Sequence, residues 1–380
     1  METGTVRKFA SEDGRKVRYA VAGLGWIAQE AVLPGFANAP NSELVALVTD
    51  DQEKAEEVGR QYNVKRTVDY NDYDNLMASG EVDAVYITLP NNQHRDYTVR
   101  PALKGVHVLC EKPMAETEQD CLEMMAAADE GHAKLMIAYR LHFEPANLPA
   151  IETIKSGKIG EPGFFTSAFA QSVAEGNIRL SAGLGGGPVM DMGVYCINAA
   201  RYLFQDEPED MVSLSASKEG DPRFSEVPEA VSAVLRFPGG RLAAFTCSFG
   251  SANADEIRVV GTKGDLRLAP IYDYHHEYTA YLTVDGKTET KKYPRQDQFG
   301  AELLYFSDCV LNDVEPVPSG REGLADVRII GAIHAAAHSG KAVPMGTQAP
   351  TERPSLEREL MLPPVEAPQI VRAASPGGEK

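Results

Sequence analysis

Apolar and polar positions change their rhythm about a third of the way along the chain. Up to residue 139, short unbroken apolar runs alternate with amphipathic stretches of helical period. The runs are Val17–Ala22, Leu44–Thr49, Ala84–Leu89, Val106–Cys110 and Lys134–Ala138. Runs of this length suit strands buried on both faces of a parallel sheet. The stretches between them suit helices: one following the first strand through Ala37, then Glu53–Tyr62, Tyr73–Ser79, Tyr97–Lys104 and Thr117–Glu130. Strand alternating with helix predicts an α/β domain over 17–139, preceded by a polar arm, 1–16.

After a helix at Pro145–Ser156 the period becomes two. Phe164–Gln171, Met211–Lys218, Ala230–Phe237, Arg241–Phe249, Glu256–Val260, Leu266–Ala269, Tyr278–Val284 and Lys287–Tyr293 read as strands. Turn signals separate neighbours at Pro238-Gly239-Gly240, Thr262-Lys263-Gly264-Asp265 and Asp285-Gly286. Many strands in succession predict a large, mainly antiparallel sheet, hence an α+β domain over 140–343. Helices Phe299–Leu311 and Leu324–His338 follow, and 344–380 is a proline-rich tail. A broad sheet covered by helices on one face leaves the other to be covered, which predicts a homodimer or homotetramer.

Composition narrows this picture without naming a substrate. The 380 residues carry a formal net charge of -18, which argues against a nucleic-acid or anionic membrane surface as partner. Cys110, Cys121, Cys196, Cys247 and Cys309 form no CxxC pair, so reduced thiols and a cytoplasmic setting are expected, with no metal site.

The first strand runs into Gly23-Leu24-Gly25-Trp26-Ile27-Ala28, a GxGxxA. A glycine at the first position permits a tight turn, and one at the third lets backbone approach a pyrophosphate. The following helix offers free N–H groups and its positive dipole end. Gly23, Gly25, Trp26 and Ile27 are therefore candidate dinucleotide-binding residues. At the end of the second strand an acidic residue favours NAD and a hydroxyl with a nearby cation favours NADP. Thr49-Asp50-Asp51 with Lys54 supports either reading, according to which residue ends the strand; Asp50 and Asp51 also suit helix caps. Pro90, Asn91 and His94 follow the Ala84–Leu89 strand, where ligands meet the carboxyl edge of an open sheet.

The Val106–Cys110 strand delivers Glu111-Lys112-Pro113. Alone this is an ordinary loop. Facing it, Gly185-Gly186-Gly187-Pro188 opens a helix on which Asp191, Tyr195 and Asn198 share one face at i, i+4 and i+7. Oxidising C–OH to C=O needs a hydride acceptor and a base for the hydroxyl proton. Lys112 is a candidate base through a lowered pKa, or the partner of a Tyr195 proton carrier. Asp191 would orient the amine or a sugar hydroxyl, and Glu111 would bond the nicotinamide ribose.

These motifs, with Tyr139-Arg140 and His142-Phe143, resemble the family of glucose-fructose oxidoreductase, inositol dehydrogenase and rhizopine-catabolism proteins over residues 17–343, closest to the glucose-fructose oxidoreductase branch. The resemblance implies a Rossmann domain followed by a mainly antiparallel domain. It implies Lys112, Asp191 and Tyr195 as the catalytic set, and Tyr139, Arg140 and Asn198 as substrate-binding candidates. It places Thr49 at the 2′-specificity position with Lys54 beside it, favouring NADP, with NAD as the alternative. Trp26 departs from the basic residue of that branch, and Asp50 and Asp51 add negative charge. The expected activity is oxidation of a pyranose aldose at C1 to a lactone, with a retained cofactor re-oxidised by a second sugar. The alternatives are a freely exchanging sugar, polyol or diol dehydrogenase and a non-catalytic NADP-binding sensor.

Overall fold

The computed structural model of the protein describes residues 14–346 and 352–378. Most of the expected N-terminal arm, 1–13, lies outside the described residues.

The first sheet has six strands: β1 (Val17–Ala22), β2 (Ser42–Val48), β3 (Arg66–Val68), β4 (Ala84–Ile87), β5 (His107–Glu111) and β6 (Leu135–Ala138). Their order is β3-β2-β1-β4-β5-β6 and every pair is parallel. The chain reverses direction of travel across the sheet between β1 and β4, which opens a crevice at the strands' carboxyl ends. The helices are α1 (Leu33–Gly35), entered through a π turn at Ala28–Val32, α2 (Gln52–Gln61), α3 (Tyr73–Ala78), α4 (His94–Ala102) and α5 (Glu118–Glu130). Two begin on side-chain caps: Asp51 accepts from the Lys54 N–H and Thr117 from the Asp120 N–H. β3 has three residues, too few for a periodic signal, and the sequence reading lacks it.

After α6 (Asn147–Lys155), a nine-stranded sheet contains β7 (Pro162–Ala170), β8 (Asp210–Ala216), β9 (Ala230–Phe237), β10 (Arg241–Ser248), β11 (Ala254–Gly261), β12 (Gly264–Leu268), β13 (Tyr278–Val284), β14 (Lys287–Tyr293) and β15 (Val343–Pro344). The order is β14-β13-β12-β11-β7-β10-β9-β8-β15, antiparallel throughout except for the central β7–β10 pair. This is the expected α/β domain followed by a mainly antiparallel α+β domain. Between β7 and β8 lies α7 (Val194–Phe204), and α9 (Gly320–Ser339) packs beside it. The opposite face of the sheet exposes Phe164, Val212, Leu214, Val234 and Leu242.

α8 (Gln298–Leu311) follows the second sheet in the chain but covers the first. Ser307 Oγ lies 2.8 Å from Tyr19 Oη and 2.7 Å from Ser42 Oγ. The approach is close enough that a Cβ on Gly35 would meet the Gly300 nitrogen at 2.8 Å, so glycine is required there. The described tail, 352–378, has no strand and a single short 3-10 turn at Leu356–Arg358. Among the described residues no helix is long and apolar enough to cross a membrane.

Candidate active site

β1 stops at Ala22 and the chain turns at Gly23, whose φ is +94°. A Cβ there would sit 3.0 Å from the Thr88 carbonyl oxygen, so the turn excludes every other residue. Thr88 Oγ1 donates to the Gly23 carbonyl at 2.6 Å and ties the end of β4 to the turn. Gly25 is exposed, and a Cβ on it would meet nothing within 4 Å. Above Gly25, therefore, lies an open cradle at the start of a helix, flanked by half-buried Trp26 and Ile27. The residues fit a pyrophosphate: close backbone access, unpaired N–H groups and a positive helix end in one place.

The first residue after β2 is Thr49, buried, its Oγ1 accepting from the Asp51 N–H at 3.3 Å. Asp51 is the cap of α2, and Lys54 Nζ lies 4.0 Å from its carboxylate. The strand-end position is thus a hydroxyl, with Asp50 one residue beyond it. That geometry suits a 2′-phosphate better than a direct acidic clasp on the ribose.

β5 carries Glu111, Lys112 and Pro113 into the crevice, and the Lys112–Pro113 peptide is cis. Lys112 Nζ donates to the Asp191 carbonyl at 3.1 Å and to Asp191 Oδ1 at 3.4 Å, and stands 4.6 Å from the Tyr195 ring centre. Arg179 Nε holds the other Asp191 oxygen at 2.8 Å. Burial opposes the Asp191 charge, and the two cations more than offset it, lowering its pKa to about 2. Arg140 Nε donates to Tyr195 Oη at 3.2 Å; the same guanidinium is anchored by Gln298 and the Tyr272 carbonyl. The phenol is therefore bracketed, with an ammonium against its ring and a guanidinium on its oxygen.

Opposing effects meet at Lys112. Burial works against the charge on Lys112, but Tyr195, Asp191 and Glu111 outweigh it, and the pKa is raised from the ordinary lysine value. The protein's own groups thus favour the ammonium form of Lys112, whereas a cationic nicotinamide beside it, the ground for expecting a lowered pKa, would act in the opposite sense.

The helix carrying Asp191 begins as a π turn, Val189–Gly193, before becoming α7. A π turn winds more residues per turn than an α-helix, so α-helical spacing does not keep all three polar residues on one face. Asp191 and Tyr195 reach Lys112. Asn198 does not: it is buried, bonded to His142 Nε2 at 2.7 Å and to Glu322 and Asp326 at 2.9 Å each. Tyr139 is buried beside it, its ring stacked on His142. Both line the core behind the site, and only Arg140 of the three substrate-binding candidates joins the Lys112 group.

The remaining candidates hold the frame. Glu111 is buried, accepts from Tyr86 Oη at 3.1 Å and from the Lys112 N–H at 3.3 Å, and its pKa is raised by burial. His94 is buried with its ring nitrogens 2.9 Å from the Pro113 and Leu89 carbonyls, clamping two strand-end loops. Pro90 starts the turn that carries Asn91, and Asn91 Nδ2 donates to the Gly185 carbonyl at 2.7 Å, docking the glycine loop of the second sheet onto the first. Arg179 is the participant the sequence reading missed. It lies in a short 3-10 turn, Ile178–Leu180, with no motif, and only the fold shows its partner.

The chain matches the family model described as oxidoreductase family, NAD-binding Rossmann fold, over residues 17–139, and that of the GFO/IDH/MocA C-terminal domain over 149–267. It is 34% identical over 335 residues to a D-xylose 1-dehydrogenase [NADP(+)] of Haloarcula marismortui, covering 86% of this chain and 92% of the relative. It is 30% identical over 329 residues to D-xylose 1-dehydrogenase (NADP(+)) 2 of Haloferax volcanii, covering 86% and 98%. The crystal structure of an aldose-aldose oxidoreductase from Caulobacter crescentus complexed with glycerol superimposes with a TM-score of 0.83 at 36% identity, covering 87% of this chain and all of that one.

Proposed function

The chain belongs to the oxidoreductase family of glucose-fructose oxidoreductase, inositol dehydrogenase and rhizopine-catabolism proteins, and from that premise we propose that it oxidises C1 of a pyranose aldose to the lactone with NADP. It is an NAD(P)-dependent oxidoreductase acting on sugar CH–OH groups, as its relatives are named. The observation that carries the finer reading is the bracketed phenol of Tyr195, between Lys112 and Arg140.

Held over the glycine turn, the dinucleotide would supply the acceptor for the hydride leaving C1. Every other task falls to side chains. Tyr195 Oη would take the proton of the C1 hydroxyl as the C–O bond becomes a carbonyl. Lys112 and Arg140 would stabilise the phenolate form of Tyr195 that accepts this proton, a charge that is neutralised as the transfer completes. Asp191, held by Arg179, would fix Lys112 against the ring. Thr49 and Lys54 would face the 2′-phosphate. Tyr139 and Asn198 are assigned a positioning role through His142.

A retained cofactor re-oxidised by a second sugar fits the likeness to an aldose-aldose oxidoreductase; free exchange fits the likeness to xylose dehydrogenases. Purified protein carrying stoichiometric nicotinamide, discharged by one aldose and recharged by another, supports retention. Protein without nicotinamide supports the exchanging dehydrogenase. A non-catalytic sensor has no need of five converging ionisable groups. Following nicotinamide absorbance over a panel of aldoses, with NADP and with NAD, tests the reading: no turnover with any aldose overturns it.

A second copy of this chain is the proposed cover for the exposed sheet face. Val212 pairs with Val234 and Leu242 with Phe164 in register, giving an exposed apolar patch bordered by the Arg236–Asp210 ion pair. The five cysteines, all buried and in no disulfide, support a cytoplasmic setting.

A further inference from the structure

We infer that Arg372, delivered by the C-terminal segment, is a cofactor-specificity residue that supplies the cation facing the 2′-phosphate of NADP; this rests on the NADP reading above. The ribose end of the crevice otherwise has an unfavourable balance. Asp50, Asp51 and Glu53 stand around Thr49, with Lys54 as the cation of that stretch and Trp26 where a basic residue is expected. A dianionic group would meet net negative charge there.

The tail changes that balance. Its described part is anchored at Glu207 by Arg353 at 2.7 Å, at Phe143 by the Leu360 N–H, and at Asn38 through the Pro363 carbonyl. It then reaches the helix that follows the glycine turn. Gln29, buried behind that turn, clasps Val371 on both sides: its Nε2 donates to the Val371 carbonyl at 2.9 Å and its Oε1 accepts from the Val371 N–H at 2.7 Å. The same Nε2 donates to the Leu24 carbonyl inside the GxGxxA, so tail and turn share one side chain. Val371 is buried in the core under β1 and β2.

This clasp places the next residue at the start of α2. Arg372 Nε lies 3.3 Å from Asp51 Oδ2, and its guanidinium also pairs with Glu53. Its backbone holds the left-handed region at φ +49°, uncommon for a side chain of this size. Beyond it the chain crosses to the second domain, where the Ala174 N–H donates to the Pro376 carbonyl at 2.9 Å and Asn177 to the Ser375 carbonyl at 3.3 Å. The segment is thus pinned on both sides of the crevice, and no atom of it comes within 4 Å of where a Cβ on Gly25 would stand. Arg372 is half exposed, so its guanidinium has room to pivot from the two carboxylates to a phosphate. A guanidinium suits that target through its paired donors.

The test measures binding, not turnover. Dissociation constants of the full-length protein for NADP and for NAD are determined by titration calorimetry for the parent, Arg372→Ala, Arg372→Lys and Arg372→Glu. A charge-assisted contact to phosphate predicts at least a tenfold weaker NADP complex for Arg372→Ala and more for Arg372→Glu, with NAD affinity within about twofold and partial recovery in Arg372→Lys. Equal losses for both cofactors would assign the residue to closing the crevice and overturn the inference, as would unchanged NADP affinity. A parent that binds NADP no better than NAD overturns the cofactor reading itself, before any variant is made.

Discussion

Replacing Lys112 with methionine separates chemistry from architecture. The amine touches Asp191 twice and faces the Tyr195 ring, and methionine keeps the length of the side chain without the charge. Asp191 would still be held. With an effective dielectric of about 20, an ion pair at the Lys112–Asp191 separation of 3.4 Å is worth about 5 kcal/mol in Coulomb attraction. The Arg179 pair at 2.8 Å is worth about 6 kcal/mol on the same scale. These are gross attractions before desolvation, but their ratio decides the outcome: the stronger partner remains, so Asp191 is not left as a bare buried charge. The fold and the glycine cradle should survive, with cofactor affinity within about threefold of the parent. Turnover should not survive. Removing the ammonium beside a proton carrier takes away both stabilisation of the phenolate and orientation, for a loss on the order of 10²–10⁴ in kcat. The assay pairs steady-state aldose oxidation with a cofactor titration on the same preparation. Turnover within tenfold of the parent would sink the assignment of Lys112. Loss of cofactor binding in step with turnover would show a structural role instead.

Three further outcomes follow from the same geometry. Tyr195→Phe should lower kcat by roughly 10²-fold or more while sugar KM changes little, because the ring contacts to Phe169 and Tyr272 persist and only the proton carrier is lost; equal kcat in stopped-flow would refute it. Glu144 is buried and its pKa is raised to about 7 by that burial, against the two N–H groups of Ala146 and Asn147 that it accepts. A raised carboxyl pKa means stability that is full below the unfolded value near 4.5 and is lost as pH rises through about 7. Thermal unfolding of the parent should therefore weaken between those pH values, by up to about 3 kcal/mol from this group, and Glu144→Gln should flatten the slope; parallel profiles would exclude Glu144 as its source. Leu214→Glu, on the most exposed apolar side chain of the sheet face, should lower the solution mass to that of a monomer in light scattering; an unchanged multimer would place the interface elsewhere.

Local signals were enough for most of the framework. Five apolar runs became β1, β2, β4, β5 and β6 within a residue or two at each end, because a strand buried on both faces must be apolar at every position. Period-two segments became the second sheet, because one face of it packs on helices. Gly23 was legible because a tight turn against Thr88 tolerates no Cβ. Lys112 was legible because Glu-Lys-Pro ends a strand that faces a polar stretch opened by three glycines.

What the chain could not disclose by itself lay in contacts between segments far apart in it. Arg179 meets Asp191 only once the second sheet is formed. Asn198 left the cleft because Glu322 and Asp326 on α9 offered its amide a buried place. The sign of the Lys112 shift depended on summing the charges that three separate strand and helix ends bring around it. The tail carried no pattern of its own, since an extended strap takes its order from the surface it lies on, and Arg372 acquires a position only through Gln29, 343 residues earlier. Sequence by itself determined the two sheets and the dinucleotide turn, because those follow from side-chain period and backbone sterics within one element; the lysine–aspartate–tyrosine set was an expectation drawn from family resemblance. Tertiary structure decided which polar groups meet, how their charges balance and where the tail lies, because electrostatic energy depends on distance in space and not along the chain.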